Sequence, residues 1–301
     1  MAKPAPPKDD FEAQIRDGLD QIMKNDPLAE RIVGVPAGGR ADLNRFPFLF
    51  LVDASQSTAY PFKGQPTDND AIVDALTKIF RLLREPPRDS DLALHHKEID
   101  VAIVSYNTGA QTLLNWTPAP ELPDPMFPIP TSPGTRTANG FKEAFRIIHD
   151  RQTALFKQRT PTGIAHIFHL TDGAPTDMAP GDPRWQELKT KLARITATAD
   201  IETRKLAVAI HFITPNGCDP EFPGNKNHPS GQSITGFDAI KQLAHESLVV
   251  PCKDAAAFVP NLVDLVTGTI IKISSNATEA GQAVNEVKIE QQFDDRTLDD
   301  V

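Results

Sequence analysis

The chain has 301 residues, enough for one large or two small domains with a substantial core; at 40% hydrophobic and 24% charged its composition is that of an ordinary folded protein. No apolar run approaches the roughly 20 residues of a membrane-spanning helix, and a net charge of −9 argues against general nucleic-acid binding, which needs clustered Lys and Arg. Two distant cysteines, Cys218 and Cys252, give neither a disulfide framework nor a zinc spacing, so a reducing cytoplasm is the expected setting, with no membrane partner.

Residues 1–10 are polar and Pro-rich and lack the apolar core of a secretory signal. Phe11, Ile15, Leu19, Ile22 and Met23 recur at helical spacing, predicting an amphipathic helix that packs on the main domain or docks a partner. Gly34, Pro36, Gly38 and Gly39 mark a linker, and Gly38-Gly39-Arg40 lacks the Gly-Lys-Ser/Thr of a phosphate loop. Residues 1–45 are therefore taken as an N-terminal extension.

The run Phe46 to Val52 is continuously apolar and ends on Asp53, with Ser55 and Ser57 following at every second position. A run without polar alternation predicts a strand buried on both faces, as in a parallel sheet covered by helices. A loop follows from Thr58 to Pro66, then a helix from near Thr67 with Ile72, Val73, Leu76, Ile79, Phe80 and Leu83 on one face, ending before Pro86-Pro87. Residues 88–98 read as a charged loop in which His95 and His96 are solvated. Ile99–Tyr106 and Gln111–Trp116 flank Asn107-Thr108-Gly109-Ala110, a hairpin pattern that suits the edge of the sheet.

Seven prolines punctuate residues 117–133, and restricting the unfolded chain in this way lowers the entropy cost of ordering so long a connection. It delivers Gly134-Thr135 and then a helix carrying Ala138, Phe141, Phe145 and Ile148. Ile164–Leu170 is a second buried strand ending in Thr171-Asp172-Gly173; His166 and His169 have opposite parity and are expected to be satisfied structural histidines on opposite faces. Asp182-Pro183 opens a helix, with Asp as cap and Pro in the first turn, carrying Trp185, Leu188, Leu192 and Ile195. A strand over 206–213, an insertion-like loop over 214–234, a short helix with Phe237, Ile240 and Leu243, a strand at 248–250 and a helix with Phe258, Leu262, Leu265, Val266 and Ile270 complete the main domain, 46–275. A polar, acidic tail, 276–301, is expected to be a solvated terminus or, through Phe293 and Leu298, a docking peptide. The fold class expected is α/β: a doubly wound, mostly parallel open sheet with one antiparallel edge hairpin and helices on both faces.

Chemistry gathers at the predicted strand ends. Asp53, Ser55, Ser57, Thr135 and Asp172 are all hard oxygen donors, two carboxylates and three hydroxyls, which suits a hard divalent cation: Mg2+ first, with Mn2+ or Ca2+ as alternatives. Each piece alone has a plain reading as a turn, with Ser side chains bonding local backbone. Two carboxylates only neutralise a +2 ion, so an open position favours an anionic ligand, most simply an Asp or Glu of another protein.

Asp53-Ala54-Ser55-Gln56-Ser57, Thr135 and Thr171-Asp172-Gly173, in this order, resemble the metal-ion-dependent adhesion site (MIDAS) of von Willebrand factor A (vWA) domains. Within that family the stretch from Val101 to Pro118, the Pro-rich approach to Gly134-Thr135 and Thr171–Asp177 are similar to the bacterial TerY-like group associated with tellurite resistance. The resemblance implies a Rossmann-like vWA fold over about 46–275, with Asp53, Ser55, Ser57 and Thr135 at the metal and Asp172 often acting through water. It also implies a metal-dependent protein-interaction module, not an enzyme, in a stress-response or phage-defence complex with a kinase, phosphatase or ATPase encoded nearby. Where the family commonly has glycine and methionine, this chain has Gln56 and Thr58, and Pro133-Gly134 replaces a glycine pair, so loop shape differs. Two other functions compete: a metal-assisted hydrolase or phosphatase, with His169 and His211 the nearby candidates for a base, and a structural subunit with a vestigial metal site.

Overall fold

A computed structural model describes residues 45–59, 67–124, 126–158, 160, 162, 165–171, 178, 182–195, 208–214, 242–243, 249–251 and 255–280. The expected N-terminal helix, Asp172, nearly all of the 214–234 loop, Phe237 and Ile240 of the short helix, and the tail beyond Ala280 lie outside the described residues.

Six strands form one sheet: β1 (Phe46–Asp53), β2 (Ile99–Tyr106), β3 (Ala110–Pro118), β4 (Ala165–Leu170), β5 (Val208–Thr214) and β6 (Val249–Pro251). Their order is β3-β2-β1-β4-β5-β6, parallel throughout except for the β2–β3 edge hairpin. β1 is buried at all eight positions, which explains its unbroken apolar run: both faces are covered. Phe46, Phe48, Phe50 and Val52 face α1 (Asp68–Arg84) and the last helix, whereas Leu49 and Leu51 face the helices on the other side.

α1 begins where Thr67 caps it, accepting from the Asp70 amide, and it carries Asp68 and Asp70 in its first turn and Arg81 and Arg84 in its last, as the helix dipole favours. The segment expected to be a charged loop is instead a five-residue helix, α2 (Asp91–His95), capped by the Ser90 side chain and followed by a single 3-10 turn over His96–Glu98. His95 and His96 make local contacts there, His95 Nδ1 with Glu98 at 3.2 Å and His96 Nδ1 with the Ala93 carbonyl at 3.0 Å. α3 (Thr137–Lys157) and α4 (Pro183–Ile195) cover the second face through Phe141, Ala144, Ile148, Trp185 and Leu188. α5 (Ala255–Ala280) covers the first, and it runs on past position 276, where the polar tail was expected to begin.

Two features tie the ends of the sheet. At the N-terminal end, the fully buried Asp100 carboxylate meets Arg151 at 2.6 Å and Arg45 at 3.3 Å, satisfying a charge that would otherwise be costly to bury. On the α1 face, the Pro-rich segment climbs from the C-terminal end of α1 to its N-terminal end. Arg84 Nη1 donates to the Leu122 carbonyl at 3.3 Å, Arg81 and Arg84 pair with Asp124 at 2.8 and 2.7 Å, and Asn69 Nδ2 donates to the Ile129 carbonyl at 3.0 Å. Leu122, Met126 and Ile129 are buried beneath it. It then crosses over the sheet to start α3 on the opposite face. This is the doubly wound α/β architecture the sequence predicts, and it leaves a crevice where the strand order reverses, between the C-terminal ends of the parallel strands β1 and β4.

Candidate functional site at the carboxyl ends of β1 and β4

Asp53 ends β1 inside that crevice and is completely buried. Its carboxylate is held on both oxygens: Oδ1 accepts from the Ser55 amide at 2.9 Å and Oδ2 from the Thr171 hydroxyl at 2.9 Å. Charge-assisted bonds of this kind offset the desolvation of a buried carboxylate.

A single 3-10 turn over Gln56–Ala59 then curls the chain. Thr58 closes it, donating from both its amide (3.2 Å) and its hydroxyl (2.8 Å) to the Ser55 carbonyl. Thr58 is fully buried and braces the loop from within. The turn brings the Ser55 and Ser57 hydroxyls to 2.8 Å of one another.

Thr135 arrives by a different route. The Ser132 amide donates to the Ala54 carbonyl at 3.0 Å, and Ser132 bridges Ser55, which stitches the end of the Pro-rich segment to the Asp53 loop. Gly134 makes the final turn with φ +92°, a conformation that favours glycine, beside Thr108 of the hairpin. Thr135 follows, buried, and the Arg136 amide is fixed to the Asn107 carbonyl at 2.7 Å. Asp53, Ser55 and Ser57 are thus bonded into one loop, and the segment carrying Thr135 is bonded to it. Asp172 directly follows Thr171, whose hydroxyl is on Asp53.

Three residues belong to the site's floor in roles that the sequence alone does not give them: Thr171 stands there only as part of the Thr171-Asp172-Gly173 match, His169 only as a structural histidine or candidate base, and Tyr106 only as a strand end. The Tyr106 hydroxyl and His169 Nε2 are 2.8 Å apart, with the Tyr106 hydroxyl donating to Thr171 at 3.4 Å. The only signal available was the placement of a Tyr and a His at the ends of apolar strands. Among the described residues no three His, Cys, Asp or Glu side chains converge as a metal group; the donors seen together here are the Asp53 carboxylate and the neighbouring hydroxyls.

The histidines proposed as bases are both deeply buried. His169 lies on the α3 face; His211 stacks on Phe168 (4.8 Å between centroids) and on His166 (5.4 Å) on the opposite face. Burial pushes His169 and His211 down to about 3 and His166 well below its ordinary value, so all three are neutral near pH 7. His166 and His169 do face opposite sides. The expectation that His166 is satisfied needs correction: its Nδ1 meets His211 Nε2 at 3.1 Å, but its Nε2 has no hydrogen-bond partner among the described residues, because the neighbouring rings of Phe48 and Phe168 offer none.

No protein-family model matches the chain, and no curated protein sequence matches it. Among solved structures it is similar to the pilus adhesin SpaC from Lactobacillus rhamnosus GG, with TM-score 0.50 and 11% identity over 76% of this chain and 31% of SpaC. It is also similar to the PilB minor pilin from Streptococcus sanguinis (TM-score 0.44, 13% identity, 75% of this chain and 61% of that one). A third similar structure is the ArnB paralog VWA2 from Sulfolobus acidocaldarius (TM-score 0.40, 12% identity, 73% and 44%). The chain spans less than two thirds of the length of each of these. At such identities the likeness to SpaC shows a shared fold, the doubly wound α/β arrangement described above, and nothing finer.

Proposed function

We propose that Asp53, Ser55, Ser57, Thr135 and Asp172 together hold a divalent cation, Mg2+ first and Mn2+ or Ca2+ as alternatives, and that the ion receives an Asp or Glu side chain of a partner protein. The observation that carries this reading is the pair of serine hydroxyls 2.8 Å apart beside the buried Asp53 carboxylate. Adjacent ligands of an octahedral Mg2+ with bonds of about 2.1 Å lie about 3.0 Å apart, whereas bonds of about 2.4 Å to Ca2+ would put them about 3.4 Å apart. The serine pair is therefore already close to the edge of a magnesium octahedron. Asp53 and Asp172 neutralise the +2 charge without exceeding it, which keeps the ion receptive to an outside carboxylate.

The TerY-like resemblance extends the reading to a bacterial stress-response or phage-defence complex in which the partner is a kinase, phosphatase or ATPase. Titration calorimetry with Mg2+ and Mn2+ tests the first part. The wild-type chain should bind, and the Asp53→Ala/Ser55→Ala variant should not, with its circular dichroism spectrum unchanged. Partner capture should be lost both in the variant and on chelation. Capture that persists in both would refute docking through the ion.

A further inference from the structure

We propose that Tyr106 and His169 are positioning residues of this site: with Thr171 they form a one-way chain of hydrogen bonds that presents the Asp53 carboxylate. The chain rests on the hydrogen-bond geometry; its purpose rests on the ion-binding reading above. A carboxylate can only accept, so the Thr171 hydroxyl donates its single proton to Asp53 Oδ2, 2.9 Å away. The Thr171 oxygen then accepts from the Tyr106 hydroxyl at 3.4 Å. Tyr106 has only that one hydroxyl proton, so at its 2.8 Å contact with His169 Nε2 the phenolic oxygen accepts, and His169 carries its proton on Nε2. Every donor points towards the carboxylate.

The topology makes this chain possible. β2 and β4 are separated by β1, so their side chains start about 10 Å apart, two strand spacings. A tyrosine and a histidine reaching towards one another span that gap; they do so above the end of β1, where Asp53 is Tyr106's partner in register. The rings are locked in place. His169 sits edge-on to Phe141, with centroids 5.0 Å apart, and 5.6 Å from the Tyr106 ring. The Tyr106 ring lies so close to α3 that a Cβ on Gly140 would come within 2.6 Å of it. The Tyr106 carbonyl also accepts from the Ala54 amide at 2.8 Å. Tyr106 therefore fixes Asp53 twice, through the backbone of the next residue and through Thr171. Hydrogen bonds aligned head to tail polarise one another, which strengthens the hold on Oδ2 and pre-orients the carboxylate before an ion arrives.

Two measurements test this on the full chain. In metal-free protein labelled with nitrogen-15 at histidine, His169 should show the Nε2–H tautomer; the Nδ1–H tautomer would mean that Tyr106 donates to the histidine and would overturn the one-way chain. In Mn2+ titrations, Tyr106→Phe should bind about 5- to 10-fold more weakly, the scale of one hydrogen bond acting on a charged group at one remove. His169→Gln, whose amide can donate from nearly the same place, should stay within about 2-fold of wild type, while His169→Leu falls with Tyr106→Phe. Unchanged affinity in Tyr106→Phe, or equal losses in the glutamine and leucine variants, would overturn the positioning role. If wild-type protein takes up no Mn2+, the ion-binding reading fails by itself, and the tautomer still decides whether the chain exists.

Discussion

Gly140→Ala sets two well-known effects against each other, and the structure decides which wins. Gly140 lies in the first turn of α3, where alanine in place of glycine favours the helix by up to ~1 kcal/mol. Propensity alone therefore forecasts a more stable protein. The added methyl, however, would sit 2.6 Å from Tyr106 Cδ1 and 2.7 Å from Cγ, against a normal contact of about 3.5–4.0 Å, so the ring must retreat by about 1 Å. It has nowhere to go. Tyr106 is 1% exposed, bonded to His169 through its hydroxyl and to Ala54 through its carbonyl. Overpacking of this kind costs about 1–3 kcal/mol. Stretching the hydroxyl contact adds about 0.5–1.5 kcal/mol. Subtracting the propensity gain leaves a net loss of about 2 kcal/mol, or a fall of about 5 °C in Tm for a domain of this size. Urea denaturation followed by circular dichroism reads it directly. In a Tyr106→Ala background the Cγ and Cδ1 contacts are gone and only the Cβ contact at 3.1 Å remains, so the same substitution should become neutral or stabilising. A Gly140→Ala protein that is more stable than wild type, or an effect that is the same in both backgrounds, would refute the reasoning.

Gly134→Ala should destabilise by about 2 kcal/mol: about 1–3 for a non-glycine at φ +92° and about 0.5–1.5 for turning the exposed Thr108 methyl 2.5 Å away, less about 0.4–1 returned through the stiffer unfolded chain. Thr108→Ala should recover only the smaller, steric part in a double-mutant cycle, and recovery of the whole loss would show that backbone strain is absent. Acid should unfold the protein through its buried histidines. The unfolded chain binds these protons near pH 6.5, whereas the folded chain resists until about pH 3 for His169 and His211, so the stability conferred by neutral rings is complete above about 6.5 and is lost as pH falls towards 3, by up to ~1.4 kcal/mol per pH unit per ring. Urea midpoints should drop steeply between about pH 6 and 4, and a His166→Phe/His211→Phe variant should flatten that limb by about two thirds; a limb equally steep in the variant would contradict the assignment.

What the sequence revealed follows from which interactions are local. The limits of α1 were readable because Thr67 caps it through its own side chain and Pro86-Pro87 stop it, and β1 was readable because burial on both faces leaves no polar alternation. α2 was missed because five residues, Asp91–His95, are too few to show a helical period, and its cap at Ser90 looked like any other serine in a polar stretch. The end of α5 was misplaced for a complementary reason. Its apolar periodicity was read only as far as Ile270, but each further residue of a helix adds one backbone bond whatever its side chain, so α5 continues through polar sequence to Ala280. In the site, Asp53, Ser55 and Ser57 were legible because their spacing is covalent. The pairing of Tyr106 with His169 was not, because they are 63 residues apart and meet only through the strand order β2-β1-β4.

The same contrast explains how the two halves of the site are built. Asp53 is held by neighbours that belong to the sheet: Tyr106 at the end of β2 and Thr171 just past β4. Thr135 does not lie on or next in sequence to a strand. It lies at the end of a segment longer than the 12–15 residues that unstructured connections in compact domains rarely exceed, and such a segment would wander unless anchored. The anchors are spaced along it: Leu122 and Asp124 on the last turn of α1, Met126 in the core, Ile129 on the first turn and Ser132 on the Asp53 loop. Prolines between these anchors reduce the freedom lost on ordering, so a few polar contacts and three buried side chains suffice to hold it. The position of Thr135 is thereby set by α1, a helix on the opposite face from the one Thr135 introduces. Disturbance of α1 packing therefore reaches the site through Thr135, and disturbance of the β2–β4 floor reaches it through Asp53.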